Sequence, residues 1–184
     1  IYGFLGQNGA GKTTTIKLLS GLSIPTQGQI FVDGMNLSSE SGKVKQVLGL
    51  VPQDSGFYDE RTALSHMIYY GRLKGLSKKE SLEQSRVLLD QVGLGNEMFK
   101  KVGYFSHGMK TRLGIAQALL NSPKVLILDE PTNGLDPVGI RQIRQILFEC
   151  NNNGITIFIS SHNLLEIQEI CTYVGILDKG KLIA

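Results

Sequence analysis

The 184-residue sequence contains no tryptophan, only two cysteines and only five prolines. The cysteines, Cys150 and Cys171, stand apart in apolar helical contexts, with no C-x-x-C pair and no paired histidines. That argues against a disulfide framework or a zinc site and reads as buried free thiols in a reducing compartment. No apolar run approaches the roughly 20 residues needed to span a bilayer, and no signal peptide is visible, so this stretch is not expected to cross a membrane by itself. Charge of one sign is also scarce. Lys and Arg number 19 against 16 Asp and Glu, a net +3, interspersed apart from pairs such as Lys78-Lys79 and Lys100-Lys101. So weak a basic field predicts no nucleic-acid partner. The length suits one domain with a sizeable core.

Glycine is plentiful at 22 residues, and one cluster follows a rule. Gly6, Gln7, Asn8, Gly9, Ala10, Gly11, Lys12 and Thr13 come after the apolar run 1–5 and lead into a helical pattern over 14–20. The spacing G-x-x-x-x-G-K-[ST] lets successive backbone N–H groups converge on an anion, while the following helix start adds partial positive charge. Lys12 is placed to reach the β- and γ-phosphates of a nucleotide and the Thr13 hydroxyl to ligate Mg²⁺; Thr14 is counted with the cradle. The loop predicts a nucleotide and leaves open what its energy does.

Apolar strands are predicted at 1–5, 47–51, 124–128, 155–159 and 174–177, with an edge strand over 29–34 ending in a turn and a hairpin over 175–184. Helices are predicted at 14–21, around 43–46, at 137–151 and from the Asn163 cap to Cys171. Between 54 and 121 the period is helical. Residues 62–73 are amphipathic, Ser77 and Glu80 form a capping box ahead of Leu82, Leu89 and Val92, and a third helix runs over 106–120 until Pro123 blocks it. Buried strands alternating with helices imply a parallel sheet covered on both faces, with ligands at the strands' carboxyl ends. The fold class is α/β: a P-loop parallel sheet over 1–53 and 122–184, an inserted α-helical subdomain over 54–121, and short antiparallel strands in the N-terminal part.

Asp129 and Glu130 end the strand 124–128, which a parallel sheet brings beside the phosphate loop. Asp129 is the candidate for holding Mg²⁺, directly or through water, and Glu130 for polarising the attacking water. His162 follows the strand 155–159 and reaches the same edge, where it can hydrogen-bond the γ-phosphate. Gln53, just after Pro52, offers a neutral amide to Mg²⁺ or the water and can report nucleotide state to the helical lobe. Ser106, His107, Gly108 and Met109 open a helix whose N-terminus attracts an anion, though it is remote in sequence from Lys12.

Together, residues 6–13, Gln53, the segment Phe105-Ser106-His107-Gly108-Met109, residues 126–130, Gly134-Leu135-Asp136 and His162 resemble the ATP-binding domain of an ABC transporter, in the family's order and over nearly the whole chain. The resemblance implies MgATP hydrolysis on the inner face of the cell membrane, in a head-to-tail dimer that sandwiches two ATP molecules. In such a dimer Ser106 and Gly108 serve the ATP on the partner's phosphate loop, and Asp136 lies at the seam. The loop after Gln53, with Phe57, Tyr58 and the helix from Thr62, faces an integral membrane subunit.

Two features depart from the family pattern. The signature usually reads Leu-Ser-Gly-Gly-Gln, whereas here His107 introduces a side chain and Met109 lacks the amide. The Ser-x-Gly-Met-Lys form, followed by Arg112-Leu113-Gly114-Ile115-Ala116, resembles drug, bacteriocin-immunity and bacitracin-type exporters. The adenine-stacking aromatic of the family lies upstream of the loop, and Tyr2 is too close to serve. Ile1 already stands inside a strand and 175–184 reads as a hairpin cut in its second strand, so both ends read as truncated, and without the adenine contact ATP binding by the fragment is expected to be weak. Two other functions stay open at this point: a soluble ABC-type ATPase acting on ribosome or DNA, and a degenerate regulatory partner in a heterodimer.

Overall fold

The computed structural model describes residues 1–54 and 56–184. In chain order the strands are β1 (Tyr2–Leu5), β2 (Phe31–Val32), β3 (Met35–Asn36), β4 (Leu48–Val51), β5 (Val125–Asp129), β6 (Thr156–Ser161), β7 (Tyr173–Asp178) and β8 (Lys181–Leu182). The helices are α1 (Lys12–Leu19), α2 (Ser41–Val47), α3 (Ala63–Leu73), α4 (Lys78–Gln91), α5 (His107–Leu119), α6 (Pro137–Asn152) and α7 (Leu164–Ile170). Six strands form one sheet in the order β4-β5-β6-β1-β7-β8, parallel except for the β7–β8 hairpin. This register sets Asp129 beside Ser160 and Leu5 beside Ser161, so the functional ends of β1, β5 and β6 line one edge.

Alternation along these strands buries both faces. Leu126 and Leu128 of β5 join one apolar cluster, while Ile127 joins another with Ile16, Val32, Val44 and Leu48. The first cluster does not stop at the sheet. It runs from Ile157 and Ile159 through Ile143 and Leu147 of α6 into Met67, Leu89 and Leu113 of the three helices between β4 and β5. The helical insertion thus shares its core with the sheet instead of burying one of its own.

Local signals fix the helix starts. Thr62, Ser106, Asp136 and Asn163 each accept a backbone N–H, and Ser77 and Glu80 complete the capping box. Helix α1 begins at Lys12, earlier than the periodicity suggests, because Gly11 stands at φ 111° and caps it without a side chain. The stretch 29–34 is not an edge of the main sheet. Asp33 at φ 51° and Gly34 at φ 75° make a tight turn that folds β2 onto β3 as a separate two-stranded sheet. Both cysteines are free, Cys150 buried but Cys171 only half-buried; burial pushes each thiol up to about 11, which leaves it unreactive. Among the described residues no helix is long and apolar enough to cross a membrane.

Candidate active site

The phosphate loop is a turn pressed against the sheet. Ala10 N–H donates to the Gln7 carbonyl at 3.1 Å, and the Ala10 carbonyl accepts from Gly180 N–H in the β7–β8 turn at 2.8 Å. A Cβ on Gly6 would lie 2.7 Å from the Leu177 carbonyl oxygen, so only glycine permits this approach. Gly9 at φ 83° completes the bend beside Asn8. Thr13 and Thr14, in the first turn of α1, are exposed, and no side chain caps that turn's N–H groups. That leaves an anion-facing helix start.

Lys12 is folded into the site. Its Nζ donates to the carbonyls of Gly6 at 2.7 Å and Gln7 at 3.1 Å and pairs with Glu130 Oε1 at 3.1 Å. Both partners are buried, their side chains 5% and 8% exposed, so each charge depends on the other against the cost of leaving water. The second Glu130 oxygen accepts from His162 Nδ1 at 3.0 Å, on an imidazole that is half-exposed. A carboxylate acceptor puts the proton on Nδ1. In the neutral ring Nε2 then has no proton, and it donates to an anion only when the ring is charged or turns away from Glu130.

Glu130 occupies the left-handed region at φ 49°, a conformation that costs a non-glycine residue on the order of 1 kcal/mol. Ser160 holds it there. Its carbonyl and its Oγ both accept from Glu130 N–H, at 3.2 and 3.0 Å, and the same hydroxyl donates to Asp129 Oδ1 at 2.6 Å. Ser160 was not among the residues read from sequence, where it shows only as one of two serines ending an apolar strand; the structure buries it fully. Glu166 was also missed. Its carboxylate accepts from Thr132 Oγ1 at 2.5 Å and Asn163 Nδ2 at 3.2 Å, tying the turn after Glu130 to the turn that carries His162.

Gln53 lines a cleft of about 410 Å³ with Asp129, Glu130, Asn133, Gly134 and His107. Among the described residues no group of three or more His, Cys, Asp and Glu is arranged for a metal. The fit of Mg²⁺ therefore rests on the oxygen donors Thr13 hydroxyl, Gln53 amide and Asp129 carboxylate, hard ligands that suit it.

Ser106 and Gly108 are not brought to Lys12. They line a separate cleft of about 390 Å³ with Asp136, where Ser106 Oγ accepts from Met109 N–H at 3.3 Å. Met109 packs its side chain against the main apolar cluster. Asp136 Oδ1 caps α6 through Gly139 N–H at 2.8 Å. Phe57 meets the His66 ring edge-on and Tyr58 meets it at a tilt, and Arg61 lies over the rings of Tyr58 and Tyr69. Tyr2 is stacked on Phe158, 5.6 Å between ring centroids.

A family model described as ABC transporter matches residues 1–133, which contain the phosphate loop, the helical insertion and both carboxylates. The chain belongs to the ABC transporter family. Over its full length this ABC domain is 48% identical to the bacitracin transport ATP-binding protein of Bacillus licheniformis and 39% identical to the linearmycin resistance ATP-binding protein of Bacillus subtilis. It is 42% identical to the lantibiotic transport ATP-binding protein of Streptococcus pyogenes, of which it covers 77%. It spans 59% of the bacitracin and linearmycin proteins. Among solved structures, it superposes in full on an ATP-binding subunit of an ABC transporter with a TM-score of 0.86 at 32% identity, covering 76% of that chain. On CbiO1 from Clostridium perfringens the TM-score is 0.89 at 31% identity, with 75% of that chain covered.

Proposed function

We propose that the chain is the ATP-hydrolysing core of an exporter's ATP-binding subunit, working as a head-to-tail dimer beneath a membrane subunit. The observation that carries the catalytic part is the Lys12–Glu130–His162 chain, contacts of 3.1 and 3.0 Å centred on one carboxylate. A triphosphate entering the cradle competes for Lys12 and frees Glu130 Oε1. The carboxylate then accepts a proton from the water whose oxygen bonds to the γ-phosphorus as the bond to the β–γ bridging oxygen breaks and ADP leaves, and His162 orients the pair. Thr13, Gln53 and Asp129 would hold Mg²⁺, whose chemistry when bound is to neutralise charge on the phosphate oxygens.

The dimer reading is supported by the separation of the two anion-facing helix starts. Lys12 and Ser106 open α1 and α5, and the cleft lined by Ser106 and Gly108 does not include Lys12. A second molecule would bring Ser106 and Gly108 to the phosphates held by Lys12. Export of a peptide-like antibiotic is supported by the bacitracin, linearmycin and lantibiotic relatives, and the membrane subunit would dock on the aromatic surface around Tyr58. The test is ATP turnover by the full-length protein and by Glu130→Gln. Loss of turnover with retained ATP binding is expected, and normal turnover by the variant would remove Glu130 as the base.

A further inference from the structure

We infer that His107 is a positioning residue that ties the turn carrying Glu130 to the start of α5; this deepens the proposed function and rests on it. The imidazole spans the two clefts. Its Nε2 lies 3.0 Å from the Asn133 carbonyl oxygen, and a Cβ on Gly134 would lie 3.8 Å from the ring, so the histidine packs over that glycine at van der Waals range. Among the described residues, His107 and Gly134 alone line both the cleft of Glu130 and the cleft of Ser106 and Gly108. They form the wall between them.

The wall connects to the chemistry through two bonds. Asn133 N–H donates to the Glu130 carbonyl at 3.1 Å, and the Asn133 carbonyl accepts from His107 Nε2. A carbonyl acceptor requires a proton on Nε2, so the imidazole is the donor in this tie. At the other end, the His107 carbonyl accepts from Thr111 Oγ1 at 3.1 Å, rooting the residue in the first turn of α5. Displacement of the Glu130 turn therefore pulls on the helix start that carries Ser106 and Gly108. A glycine at this position has no side chain to make that connection.

The experiment compares His107→Ala, His107→Leu and His107→Gln with Glu130→Gln in the full-length protein, measuring ATP turnover, its cooperativity in ATP and the melting temperature. Losing one net hydrogen bond of ~1 kcal/mol predicts about a fivefold lower kcat in His107→Ala and His107→Leu. ATP KM is expected to stay near wild type, the melting temperature to fall by no more than ~4 °C and cooperativity to fall. His107→Gln keeps an N–H donor and is expected to restore most of the turnover. His107→Leu keeps the bulk without the donor, so it reports even if the alanine variant does not fold. Wild-type kcat and cooperativity in His107→Leu, alongside a dead Glu130→Gln, would overturn the inference and leave the proposed function standing. Failure of His107→Gln to rescue would also overturn it. Normal turnover by Glu130→Gln would instead strike the reading beneath it.

Discussion

The starts of helices α1 and α5 are built on opposite plans. At α1 the site is buried and charged: Lys12 and Glu130 are paired out of water, Ser160 holds Asp129 and the Glu130 backbone, and Glu166 clamps the turns on either side. At α5 the site is open, with Ser106 capping its own helix, His107 reaching one carbonyl and Arg112 and Asp136 in the cleft. Chemistry that moves protons and charge needs the first kind of preorganisation. The second kind suits a surface that waits for a ligand held by another molecule.

Four perturbations test that contrast, from the largest effect to the smallest. Glu130→Gln is expected to lower ATP turnover by about a thousandfold while leaving nucleotide binding intact, the loss typical of removing a positioned base; steady-state hydrolysis and equilibrium binding measure the two halves. Leu113→Ala hollows the core that sheet and helices share and is expected to cost ~3 kcal/mol. Its urea unfolding should remain a single transition, because one cluster joins the regions; two transitions would separate them.

The third concerns the far end of α5, where Lys74 Nζ donates to the carbonyls of Ala118 at 3.0 Å and Leu120 at 2.8 Å. Burial pushes this ammonium down to about 8 from its ordinary 10.5. The unfolded chain then holds the proton more tightly, so stability rises with pH between those values. Relative to Lys74→Met, the wild type is expected to gain about 2 kcal/mol between pH 7.5 and 9.5, read from urea midpoints. Last, Ser106→Ala removes the cap of α5 at a cost of ~1 kcal/mol in stability. It should weaken ATP-driven association while sparing ATP binding to the isolated protomer, since Lys12 is not among the residues lining the cleft of Ser106.

Much of this was legible in sequence because it is encoded in short, rigid patterns. The loop 6–13 has one backbone solution, the capping box at Ser77 and Glu80 forms as spaced, and the strands 1–5, 124–128 and 155–159 announce themselves by continuous apolar character. What escaped is tertiary. Nothing local marks Ser160 as the residue that bridges Asp129 to Glu130, because the pairing depends on β5–β6 register. The His107–Asn133 contact joins positions 26 apart through a backbone carbonyl, a group every residue carries. The Asp33-Gly34 turn was visible, but not that two-residue strands would detach from the main sheet, since so short a hairpin is fixed by its packing on Val44 and Leu48.

The claim that the phosphate loop is half of a site is tested most directly by the mass of full-length Glu130→Gln in solution with and without MgATP. A protomer is expected without nucleotide and a dimer with MgATP, and adding Ser106→Arg is expected to abolish the dimer while ATP still binds. MgATP bound with no change in mass, or a dimer indifferent to Ser106→Arg, would contradict it.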